Sequence, residues 1–239
     1  MQIVIVWLIV SVAFWIICVI GGAIPIVKLG HLDLEDADET KAREILQNVF
    51  ARKLVESSWL EQNGFEFKGV FRTTGKQTGE PYVVTWQHGK DRTYLCIYVL
   101  TRLPMRMDLR VPAGVSRSFA VATNIVTVFQ NGMLSTGSTR DGQTLPPRPG
   151  RFIQTFSTTD AGELWSRHQA GLNFLRNTSG QVADQADVGF REDFVSNTRA
   201  HMAYIQSLPL WFFRIPYWYL VRKFSLHNKS VQEQYEQLH

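Results

Sequence analysis

The side chains that could carry chemistry are dispersed along this chain, and each local grouping of them fails on spacing. The six histidines are His31, His88, His168, His201, His227 and His239. No two are spaced as metal ligands on one helical face or in one tight turn, so neither a metal nor any other cofactor is expected. His168, within ELWSRHQ, is the most suggestive, with His88 as a second catalytic candidate. Brought together with Arg92 and Glu163 by the fold, they could supply the general acid and base of a membrane-tethered hydrolase or transferase. A histidine at the edge of an apolar helix face is more commonly hydrogen-bonded in place, and that is the expectation for His168.

Three motifs can be set aside. In GVFRTTGKQTG, Gly69 and Gly75 are one residue too far apart for a phosphate loop, and Gln77 stands where a magnesium-binding hydroxyl is required. Ser135 in NGMLSTG lacks the spacing of a nucleophile elbow, which also needs a strand-to-helix turn. The acidic run Asp33 to Glu39 has Asp38 at the position where a calcium loop needs glycine. Cys18 and Cys96 stand in very different surroundings and read as small buried hydrophobes.

The elements that would have to position any site begin with a hydrophobic segment. From Ile3 to Val27 the sequence IVIVWLIVSVAFWIICVIGGAIPIV carries no charge, and about 20 apolar residues in a helix cross a bilayer core. No basic residue precedes it, and it exceeds the roughly 7 to 15 residues of a signal-peptide core, so it reads as a retained anchor. Lys28, Lys41 and Arg43 follow it, which favours a single pass with the domain in the cytoplasm.

After the anchor, Ala42, Ile45, Leu46, Val49, Phe50, Leu54 and Trp59 recur at helical spacing, and Asn63-Gly64 supplies a stop. Short runs rich in β-branched and aromatic residues follow: FEFKGVF, PYVVTWQ, RTYLCIYVLT, MDLRV, NIVTVFQNGMLSTGS and RFIQTFS. Asn131-Gly132 predicts a two-residue hairpin turn with positive φ. Asp160 and Glu163 make a capping box for a helix carrying Leu164, His168, Leu172 and Leu175 on one face. A polar linker from Ser179 to Gly189 leads to another helix from about Phe190. Hairpin connections imply an antiparallel sheet of about seven strands packed with helices, an α+β fold. The expected organisation is an anchor at 1–30, an acidic linker at 31–40, a globular domain at 41–207 and an aromatic segment with a basic tail at 208–239.

That last segment, LPLWFFRIPYWYLVRK, is the most unusual part of the chain. As a second span it would bury Arg214 at a cost of about 2.5 to 3.5 kcal/mol, besides two prolines; as a core helix it would pack on the sheet. The favoured reading is an interfacial helix, with Leu208, Phe212, Ile215, Tyr219 and Leu220 toward the acyl chains and Trp211, Arg214, Tyr217, Trp218 and Arg222 at headgroup level. Arg222 and Lys223 would then meet anionic lipid. Trp86, Tyr94, Tyr98 and Phe129 could line a pocket for an apolar ligand, although a packed sheet face is their commoner role.

The chain has 239 residues, 45% of them hydrophobic, and a net charge of +4. That allows one domain with appendages, and the mild, scattered excess of positive charge points away from nucleic acid. The function expected is therefore a non-enzymatic interaction or scaffold module at the membrane surface, with the lipid bilayer and a membrane protein as partners. An apolar-ligand binding protein is the first alternative and a tethered hydrolase or transferase the second.

Overall fold

The computed structural model describes residues 2–74, 81–89, 91–100, 121–138, 145–184, 188–222 and 227–237. The N-terminal run forms one helix, α1 (Gln2–Gly30), apolar on every side. Its side chains are exposed from Val4 to Ile17, whereas Ile26 near its end is buried. It is the one helix among the described residues long and apolar enough to cross a membrane.

The domain is built on a seven-stranded sheet whose order follows the chain: β1 (Asp33–Asp36), β2 (Phe65–Thr74), β3 (Pro81–His88), β4 (Thr93–Leu100), β5 (Val121–Phe129), β6 (Gly132–Gly137) and β7 (Arg151–Thr155). Alternation along the strands separates two faces. The front face, with Val84, Trp86, Leu95, Ile97 and Ile125, is covered by α2 (Glu39–Ala51), α3 (Ser57–Gln62) and α4 (Ala161–Ser179). The back face, with Val83, Tyr94, Cys96 and Val128, is covered by α5 (Phe190–Ser207) through Phe190 and Val195. The chain then turns at Leu210, whose φ is 53°, into α6 (Trp211–Tyr217) and a wide π-type turn (Trp218–Arg222). A short helix, α7 (Val231–Glu236), closes the end of the front core with Val231 against Leu134, Phe129 and Leu175.

Several expectations are corrected. The acidic linker contains a strand: Asp33–Asp36 pairs with β2, and the Leu34 side chain is wholly buried under α5. Leu34 and Ala37 among five carboxylates were too short a pattern to mark it. The first domain helix is divided after Ala51, with Lys53 at φ 53° between the two halves. The Asp160 cap forms as expected, its carboxylate accepting from Glu163 N at 2.7 Å. MDLRV lies outside the described residues.

The sheet is antiparallel except for its last pair, β6 and β7, which run parallel. The β5–β6 hairpin turns on Gln130-Asn131, since Phe129 pairs with Gly132. Gly132 is required there for space rather than for positive φ, because a Cβ would overlap the Gly150 carbonyl. That carbonyl accepts from Met133 N at 3.0 Å and brings β7 alongside.

Candidate functional site

His168 is completely buried beneath the front face. Its Nε2 lies 2.8 Å from Thr127 Oγ1 and its Nδ1 2.8 Å from Thr136 Oγ1. The neighbouring Gln154 fixes the proton positions. Its Oε1 accepts from Val231 N at 3.1 Å, so its Nε2 is the donor to Thr136 Oγ1 at 2.8 Å and to the Arg167 carbonyl at 3.1 Å. Thr136 must therefore donate to Nδ1, which leaves the proton of a neutral imidazole on Nε2, facing Thr127. Burial lowers the His168 pKa to about 3. This is a closed structural network.

The other proposed catalytic residues do not join it. His88, in the β3–β4 hairpin, packs against Trp165, with ring centroids 5.1 Å apart, while Trp165 stacks on His168 at 6.0 Å. Glu163 pairs with Arg167 near the surface. Arg92 points to the back face, where it engages both Asp193 and Asp184. The four pocket aromatics are divided as well: Trp86 and Phe129 sit in the front core, whereas Tyr94 and Tyr98 belong to the back. Cys96 is also enclosed there, and burial pushes its thiol up to about 12.

The back face holds two charged clusters with different balance. Around Arg92, Asp193 accepts at both carboxylate oxygens and also receives the Tyr94 hydroxyl at 2.8 Å. The hydrogen bond from Arg92 to Asp193 is the largest influence raising the arginine's pKa. Further along, Arg151 donates to His201 Nδ1, and His201 Nε2 donates to the Pro146 carbonyl at 3.0 Å. Burial, then the neighbouring Arg151, lowers the His201 pKa to about 4. Arg148 donates to Asn197 Oδ1 at 2.6 Å. Between the clusters lies a cavity of about 60 Å³, lined by Tyr98, Asn124, Ser135, Arg151, Asp193 and Asn197 among others. A second, more apolar cleft of about 510 Å³ opens between the loop before β7, the end of α4 and α7.

The aromatic segment meets the anchor. Ile215 and Trp218 are buried with Ile26 of α1 and with Met202 and Ile205 of α5. Gly22 makes this approach possible, since a Cβ there would overlap Ile215 Cγ2. Trp218 thus shares the packed side with Ile215 instead of grouping with Arg214: Trp211, Ile215 and Trp218 follow one another at i, i+4 and i+7 on one helical face. Phe212, Phe213, Tyr217 and Tyr219 remain exposed, as does Arg214, while Trp211 is partly covered. Arg222 closes the π-type turn, and Lys223 lies outside the described residues.

Sequence reasoning missed Arg148, Arg151, Asn197 and Gly22. The arginines stand in a proline-rich loop and at a strand start, with no periodicity to mark them, and the Gly22 notch is visible only once its partner helix is placed. In comparisons with known proteins, no family model, curated protein or solved structure matches the chain.

Proposed function

We propose that this is a single-pass membrane protein whose α+β domain is seated on the bilayer surface and serves there as a non-enzymatic interaction or scaffold module. The observation that carries the reading is the packing of α6 against the end of α1, through Ile215 at Gly22. At 1.5 Å per residue, the stretch from Ile3 to Gly22 rises about 29 Å, close to the roughly 30 Å of a hydrocarbon core. The joint therefore falls at the bilayer boundary, and the exposed Phe212, Phe213, Tyr217 and Tyr219 stand where aromatic side chains are favoured. Arg214 at that depth can extend its charge to the headgroups.

Lys28, Lys41 and Arg43 favour the cytoplasmic side. A reporter active only in the cytoplasm, fused at the C-terminus, should be active; an inactive fusion with the protein inserted would reverse the orientation. For the seating itself, the full chain in phosphatidylcholine vesicles should protect Phe213→Cys from a membrane-impermeant maleimide while Val182→Cys reacts. Equal reactivity would defeat the proposal.

The apolar cleft beside α7 favours a second reading as an apolar-ligand carrier. Native mass spectrometry of the purified chain should then reveal a bound apolar molecule, and its absence would count against this reading.

A further inference from the structure

The back-face cavity poses a problem of charge balance. Arg151 Nε is shut off from solvent and has no hydrogen-bond partner. Among the described residues no carboxylate pairs with Arg151 or with Arg148. Their side-chain partners among the described residues are neutral, His201 and Asn197 respectively. The acidic residue that also lines the cavity, Asp193, is already engaged at both oxygens by Arg92 and Tyr94. A buried N–H without a partner is costly until a water or an anion completes it, and the unbalanced positive charge favours the anion.

The remaining wall carries hydroxyl and amide groups, among them Tyr98, Asn124 and Ser135. Ser135 donates to Asn124 Oδ1 at 3.0 Å, and both residues line the cavity together with Tyr98. Tyr98 lines the same cavity as Arg151, and its hydroxyl is a neutral group able to donate to an anion there. At roughly 15 Å³ per water, a volume of about 60 Å³ admits a few waters or one compact ion.

We infer that this cavity binds a small oxyanion, of carboxylate or phosphate type, between the Nε–H of Arg151 and the hydroxyl of Tyr98. A planar guanidinium suits oxygen pairs of either kind, and Arg148 adds positive charge nearby. The site stands independently of membrane seating, because none of its residues belongs to α1 or α6.

The test uses the full chain in neutral detergent, titrated calorimetrically with sodium acetate and with sodium phosphate against sodium chloride at matched ionic strength. Saturable binding of acetate or phosphate at one site, with none for chloride, is expected. Arg151→Gln should abolish it, and Tyr98→Phe should weaken it about tenfold, the loss of one hydrogen bond to a charged group. Absence of saturable binding, or a Tyr98→Phe affinity equal to that of the parent, would overturn the inference. The tyrosine variant keeps the test decisive even if Arg151→Gln fails to fold. Repeating the titration in phosphatidylcholine nanodiscs with and without phosphatidic acid separates the two sources: competition by the lipid assigns a headgroup phosphate, and unchanged uptake a free ion.

Discussion

Ile215 fills the notch that Gly22 leaves in the anchor helix, and this contact is the closest point of a packed joint, shared with Ile26 and Trp218, that couples the N-terminal span to the C-terminal aromatic segment. Replacing Gly22 with leucine forces the two helices apart at a packed interface, with an expected cost of about 1 to 3 kcal/mol. Trypsin cleavage after Arg214 should accelerate in Gly22→Leu relative to the parent chain in the same vesicles. An unchanged cleavage rate would mean that α6 is held by α5 alone.

The His168 network predicts a stability effect rather than a catalytic one. His168→Ala removes a buried ring and leaves Thr127 and Thr136 short of partners, for an expected loss of about 3 to 5 kcal/mol. The pH dependence has a definite sign. His168 and His201 titrate at about 3 and about 4 in the folded chain, below the ordinary 6.5, so the unfolded chain binds more protons between those values. Stability is then complete above pH 6.5 and falls as pH drops toward 4, by about 1.4 kcal/mol per pH unit for each histidine. Urea denaturation in micelles between pH 7 and 4.5 should show this slope, and His168→Gln should halve it.

Arg92 ties β4 to α5 and to the segment preceding it. Arg92→Met strands Asp193, which is only 4% exposed, and should destabilise the chain by about 3 to 5 kcal/mol. Adding Asp193→Asn should recover a large part of that loss. A double variant no better than the sum of its parts would show that the pair is not energetically coupled.

Where the chain follows a period, the architecture was legible. Val84, Trp86, Leu95 and Ile97 alternate, Leu164, His168, Leu172 and Leu175 recur at helical spacing, and both patterns correspond to the observed front core. Features fixed by tertiary contact were not legible. Leu34 becomes a strand residue only because β2 and α5 enclose it, and the parallel β7 depends on the approach of Gly150 to Gly132. The aromatic segment was recognisable by composition, yet its faces were misjudged at Trp218, which lies between Arg214 and Ile215 around the helix and is drawn to the Ile215 side by its contacts with the anchor and α5. The candidate site was least accessible of all, since Tyr98, Asn124, Arg151 and Asn197 come from three strands and a helix.

The central claim, that α6 seats the domain at the membrane surface, is tested most directly by depth measurement. Spin labels at Phe213→Cys and Glu66→Cys in the full chain, reconstituted into phosphatidylcholine vesicles, would be compared for accessibility to dissolved oxygen and to a water-soluble nickel chelate. Asp33, just after the anchor, pairs with Thr74, so Glu66 lies toward the opposite end of β2. The account predicts an interfacial depth at 213 and an aqueous environment at 66. An aqueous environment at both positions would contradict it.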